Sequence, residues 1–247
     1  MKDMLQFRYQ FVMFVLIIAG FLFSCGERRP PKPAILLITG GHDFDTAELF
    51  DLFKSFEGYN TDTLSQPYAN QFIGSGKAQK YDVLVFYDSW QIISETEKQA
   101  YLDLAEKGTG FLFLHHSLVS YQGWDEFSKI RGGRYHKSNP PDSIADSQFR
   151  HDIDLSVTIC DSIHPITRDI NTFIIHDEGY SNIIVKDGVT PLLKTINPFC
   201  AEIIAWTNEY RRSRIVYLMG GHDRKAYENY YYRQLIINSL DYLIQEK

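Results

Sequence analysis

Gly110-Phe111-Leu112-Phe113-Leu114-His115-His116-Ser117 is an apolar run that ends abruptly in two histidines and a serine. A run without polar alternation reads as a strand buried on both faces, the pattern of a parallel sheet covered by helices. Just upstream, Ser94-Glu95-Thr96-Glu97 forms a capping box that predicts a helix to Lys107, with Gly108 as its stop. Val83 to Tyr87 is another buried strand, and Ala34 to Thr39, closed by Gly40-Gly41, is the first. Asp45-Thr46-Ala47-Glu48 reads as a further capping box, opening a helix with Leu49, Phe50, Leu52, Phe53 and Phe56 inside. Downstream, shorter strands are expected around Leu155–Ile159, Phe173–Ile175, Ile183–Val185, Ile203–Trp206 and Ile215–Met219. A last helix from about Tyr231 to Gln245 carries Leu235, Ile236, Leu240, Leu243 and Ile244 at helical spacing. This alternation predicts an α/β fold: a doubly wound, mostly parallel, flavodoxin-like sheet in one domain, residues 34–247.

The composition agrees. The 247 residues are 44% hydrophobic and 23% charged, as in a globular protein. With 31 acidic against 25 basic residues and a net charge of -6, there is no basic footprint for nucleic acid. Lys2 and Arg8 precede an apolar run, Phe11 to Phe23, whose 13 residues are too few to span a bilayer and suit the core of a signal peptide. The run ends in Leu22-Phe23-Ser24-Cys25-Gly26, which resembles a bacterial lipobox; Phe23 departs from the usual small or β-branched residue. The expectation is a signal peptide over residues 1–24, a diacylglycerol on Cys25, and a lipoprotein held by that lipid on the periplasmic or cell-surface side of a membrane. An uncleaved anchor with an incidental Cys is the alternative, and it also carries the chain out of the cytoplasm. Residues 25–33, with Pro30, Pro31 and Pro33, read as a short stiff tether. Cys160 and Cys200 are read as two free thiols in preference to a disulfide, since sequence supplies no Cα separation.

In an open α/β sheet, ligands bind outside the carboxyl ends of the strands. Three such ends carry histidine: His42 after the first strand, His115-His116 after the third, and His222 after Ile215 to Met219. The familiar catalytic signatures are missing. There is no His-Glu-x-x-His or Cys-x-x-Cys, so a zinc site would have to be assembled from distant loops. Ser117 lacks the Gly-x-Ser-x-Gly elbow, since Leu118 breaks the pattern, and no phosphate-binding glycine motif follows Gly40-Gly41.

Six segments in order, Thr39-Gly40-Gly41-His42, Gly110 to His116, Arg131-Gly132-Gly133-Arg134-Tyr135-His136, His164-Pro165-Ile166-Thr167, Asp177-Glu178-Gly179-Tyr180 and Gly221-His222-Asp223, resemble the ThuA-like (trehalose utilisation) family over about residues 34–245. That family is similar in fold to class I glutamine amidotransferases. Those enzymes place a nucleophilic Cys at the turn after the central strand, where this chain has His115-His116, so amidotransferase chemistry is not expected. The resemblance implies carbohydrate metabolism, with a saccharide or keto-sugar as the small-molecule partner. Carried over by motif, His115, His116, Asp177 and Glu178 are the catalytic candidates. His42, Arg134, Tyr135, His136, Tyr180 and His222 are the substrate-binding ones. A hydrolase, lyase or isomerase is expected, with Glu178 moving the proton and a divalent metal as the one conceivable cofactor. The alternative is a non-catalytic carbohydrate-binding lipoprotein, in which Tyr121, Trp124 and the Tyr227 to Tyr232 cluster stack on sugar faces or simply fill the core.

Overall fold

The computed structural model describes residues 31–138 and 142–244; the signal-peptide and Cys25 expectations fall on residues 1–30, outside the described ones. β1 (Ala34–Gly40), β3 (Val83–Asp88) and β4 (Gly110–Leu114) are the buried apolar runs of the sequence, and β11 (Ser213–Leu218) joins them. β2 (Asn60–Ser65), β1, β3, β4 and β11 pair in that order, all parallel. Four antiparallel pairings then extend the sheet through β10 (Ile203–Tyr210), β9 (Thr190–Lys194), β6 (Gln148–Ile159) and β7 (Phe173–Ser181). The expected doubly wound, mostly parallel α/β fold is therefore the centre of the molecule, with an antiparallel wing added on one side. A small second sheet pairs β5 (Gly133–Arg134) with β8 (Ile184–Val185).

The helices are α1 (Thr46–Lys54), α2 (Tyr68–Gly74), α3 (Glu95–Lys107), α4 (Asp125–Arg131), α5 (Arg224–Glu228) and α6 (Tyr230–Ile244). The α3 capping box is formed: Glu97 N–H donates to Ser94 Oγ, Ser94 N–H donates to Glu97 Oε2, and Gly108 ends the helix at φ +97°. The box expected at Asp45 is not. Its side chain makes no cap to α1 and instead accepts the Arg224 N–H at 2.9 Å, linking the start of α1 to the start of α5. Phe86, Phe111 and Phe113 of the sheet stack edge and face among themselves and against Tyr101 of α3 and Phe127 of α4. Each fully buried aromatic of this kind stabilises the fold by about 1.5–3 kcal/mol.

β2 was not legible in the sequence: Asn-Thr-Asp-Thr-Leu-Ser is polar because the strand is the sheet's edge. The aromatics proposed for sugar stacking belong to the core. Tyr121, Trp124, Tyr227 and Tyr232 are buried, and within that cluster Tyr230 alone is well exposed. Cys160 and Cys200 are free thiols, as expected. No described helix is long and apolar enough to cross a membrane.

Candidate active site

Because β1, β3, β4 and β11 run parallel, their carboxyl ends open on one edge, and each delivers part of the site. β1 exits through Gly41 at φ +83°. A Cβ there would lie 1.9 Å from the Ser89 carbonyl oxygen, so only glycine lets the β1 and β3 exits pack together and aim His42 inward. β11 exits through Gly221 at φ +112°, where a Cβ would meet Tyr232 Oη at 2.0 Å. β4 exits through His115 itself, held at φ +46°. Sparsely populated backbone of this kind is kept where the surroundings over-determine it, often at functional sites.

His115 is wholly buried, and its Nδ1 lies 2.8 Å from the Met219 carbonyl oxygen, which only accepts; Nδ1 therefore carries the proton. Its Nε2 faces Tyr180 Oη at 3.0 Å, His222 Nδ1 at 3.1 Å and Glu178 Oε1 at 3.9 Å. Glu178 Oε2 lies 3.3 Å from His222 Nδ1 and 2.5 Å from His151 Nδ1. The donor atoms of His115, Glu178 and His222 all lie within 4.8 Å of one another, a set of the kind that holds a cation. Burial pushes the Glu178 carboxyl up to about 7, against the lowering effect of its Tyr180 hydrogen bond. Burial, with His116 and His222 as neighbours, holds the His115 imidazole well below its ordinary value.

His116 donates Nε2–H to the Tyr87 carbonyl at 3.3 Å, stacks on His42 at 4.8 Å between centroids, and leaves its Nδ1 buried with no partner. Ser89 Oγ is in the same condition. Both residues line a cavity of about 190 Å³, with His42, Trp90, Tyr135, Phe149, His151, Glu178 and Tyr180 also in its wall. Larger grooves exist elsewhere, one of about 550 Å³ at the opposite edge of the sheet among Lys107, Arg211, Arg212 and Arg214. Volume does not decide between them; the converging imidazoles and the Glu178 carboxylate do, and those belong to the smaller cavity.

His42, His115, His116, Glu178, Tyr180, Tyr135 and His222 are thus brought together. Asp177 sits beside them in another capacity: its carboxylate accepts the backbone N–H groups of Glu178, Gly221 and His222 at 2.8, 2.7 and 2.9 Å, tying β7 to the β11 exit. Burial nevertheless raises it to about 7. Arg134 and His136 lie outside the cavity wall, because Arg134 pairs with Asp125 at 3.4 Å and the buried His136 with Asp142 at 3.1 Å. His164 caps a local bend, its Nδ1 accepting the Ile166 N–H. Ser117 Oγ is buried with no partner at all, so no base activates it.

The residue that sequence reasoning missed is His151. In β6, Arg150 pairs with Gly179 and Ile153 with Asp177, so His151 and Asp152 together oppose the single residue Glu178. This bulge, with Asp152 at φ +53°, aims His151 at the carboxylate. Trp90 and Phe149, each more than half exposed, are the aromatic faces that do border the cavity.

No curated protein matches the chain. Among solved structures, a ThuA-like protein from Parabacteroides merdae superposes with a TM-score of 0.74 at 15% identity, over 87% of this chain and 91% of its own. A ThuA-like protein from Bacteroides uniformis gives 0.70 at 18% identity, over 91% and 96%. A β-galactosidase from Bacillus circulans gives 0.57 at 9% identity, over 85% of this chain but 31% of the enzyme. These likenesses establish the shared fold. The ThuA family model, described as trehalose utilisation, matches residues 35–243, and the chain belongs to that family.

Proposed function

We propose that this protein is an enzyme that acts on a saccharide or keto-sugar as a hydrolase, lyase or isomerase, held outside the cytoplasm by a lipid on Cys25. The observation that carries the reading is the 2.5 Å contact between His151 Nδ1 and Glu178 Oε2 at the wall of a cavity lined also by His42, His116 and Tyr135. A cavity of about 190 Å³ is small, which favours a single sugar unit as the group it holds. His42 and Tyr135 offer polar groups to sugar hydroxyls, and Trp90 and Phe149 offer faces to the ring's C–H side. Glu178 takes or returns a proton, and His151 passes it to solvent, as proton abstraction beside a keto group requires. The arrangement uses no protein nucleophile, consistent with the unpaired Ser117 and with Cys200, whose thiol burial pushes up to about 12.

The test is product formation from a panel of glycosides and their 3-keto derivatives by the full mature chain. Turnover of at least one member, lost in His151→Phe, supports the reading. The exposed aromatic faces favour a carbohydrate-binding module as the second reading; saccharides that bind saturably without any being turned over would establish it instead.

A further inference from the structure

We propose that His115, His222 and Glu178 form a divalent-metal site of the zinc class, open on one side to the cavity. The proposal deepens the functional reading above and rests on it for the use of the ion, while the binding itself stands on geometry.

The lone pairs come first. His115 Nδ1–H is committed to the Met219 carbonyl, so in this wholly buried neutral ring Nε2 has a single lone pair. Two groups stand at hydrogen-bond distance from it, Tyr180 Oη at 3.0 Å and His222 Nδ1 at 3.1 Å. His222 Nδ1 is in turn 3.3 Å from Glu178 Oε2, which is already contacted by His151 at 2.5 Å. Nε2 accepts from only one of them, Tyr180 Oη also has the Glu178 carboxylate to donate to, and a cation between the rings would take the His115 Nε2 and His222 Nδ1 lone pairs together.

Distances agree with that reading. A tetrahedral ion with bonds of about 2.0–2.1 Å places its ligand atoms about 3.3 Å apart. The two imidazole nitrogens are 3.1 Å apart, Glu178 Oε1 is 3.9 Å from His115 Nε2, and one ligand atom from each of the three residues lies within 4.8 Å of the others. Little movement is needed to close them on an ion. Two imidazoles with one carboxylate suit zinc and its neighbours, and not magnesium or calcium, which take oxygen donors throughout. They also match the pattern of three protein ligands with a free fourth position.

An outer shell is in place. Met219 fixes the His115 tautomer, Asp177 holds the His222 backbone through its N–H, and His151 holds the outer oxygen of Glu178. The φ angles of His115 and Gly221 lock the two histidine-bearing exits. With an ion bound, Glu178 would give Oε1 to the metal and keep Oε2, held by His151, as the oxygen that takes or returns the proton. The open position polarises a sugar carbonyl or binds water.

The mature full-length protein, stripped with chelator, is titrated with Zn²⁺ by calorimetry and separately with Co²⁺, whose visible spectrum reports coordination number. One equivalent of Zn²⁺ and a tetrahedral Co²⁺ spectrum are expected. Affinity falls by more than about 100-fold in His115→Ala and in the partly exposed His222→Asn, a larger loss than removal of an outer-shell partner causes. It is unchanged in His164→Ala, which lies away from the cluster. Absence of saturable binding, or binding that both cluster variants retain, overturns the metal site. Saccharide turnover by metal-free protein, unaffected by Zn²⁺, overturns the ion's part in the reaction while leaving the enzyme reading intact. Stoichiometric tetrahedral binding without turnover of any sugar supports the metal site and sinks the enzyme reading alone.

Discussion

Gly41 and Gly221 show how single residues set the site. Each allows a left-handed turn in which a Cβ would fall about 2 Å from an oxygen, one from the Ser89 backbone and one from Tyr232. Gly41→Ala meets backbone, which cannot step aside; it is expected to destabilise by about 2–4 kcal/mol in denaturant unfolding. Asp88 offers a separate test. It is fully buried at the end of β3, accepts from Gln66 Nε2 and Ser120 Oγ, and burial raises it to about 6 from 3.8. A carboxyl raised in the folded state holds its proton there longer than in the unfolded chain. Stability from this group is therefore highest below pH 4 and falls as pH rises to about 6, by roughly 3 kcal/mol. Asp88→Asn should flatten the change in unfolding free energy between pH 4.5 and 7. An unaltered pH slope would show that Asp88 is not the group responsible.

Among the elements, the β6 bulge and the strand exits teach opposite lessons. Buried parallel strands announce themselves as apolar runs, and a sheet of such strands places all their exits on one edge, so His42, His115, His116 and His222 could be read as one site from sequence. His151 could not. Phe149-Arg-His-Asp-Ile153 alternates no differently from an ordinary exposed strand, and the extra residue is visible only as a register shift against β7. The signal that was present, a histidine in β6 with Asp152 next to it, carries no direction until the pairing is known. Arg134 and His136 illustrate the converse: their motif placed them in the sequence neighbourhood of Tyr135, but only Tyr135 points into the cavity. His151→Gln leaves the strand and its bulge in place and removes the imidazole from Glu178. The variant is expected to keep native circular dichroism and lose at least 10²-fold in turnover, roughly the worth of a general acid or base. Full activity in the folded variant would remove His151 from the mechanism. Elsewhere the α3 cap provides a calibration: Ser94→Ala should cost about 1 kcal/mol in unfolding without touching activity.

For the whole molecule, the parallel centre supplies three histidine-bearing exits and the antiparallel wing supplies Glu178, Tyr180 and His151. Neither half alone completes the cavity. The wing was read only as short strands, because β9 and the full length of β6 and β7 lack the apolar continuity of the centre. The lipid anchor proposed on Cys25 has its own test: Cys25→Ser is expected to release the protein from the membrane fraction and abolish lipid labelling, and wild-type protein recovered soluble and unlabelled would refute the anchor. The proposed chemistry rests on Glu178, held by His151, as the group that transfers the proton. Steady-state kinetics of Glu178→Gln against wild type, on a 3-keto-glycoside the wild type turns over, test that role. The expected result is a kcat lower by about 10²–10⁴ with KM within a few-fold. A variant with wild-type kcat would remove Glu178 from the proton transfer.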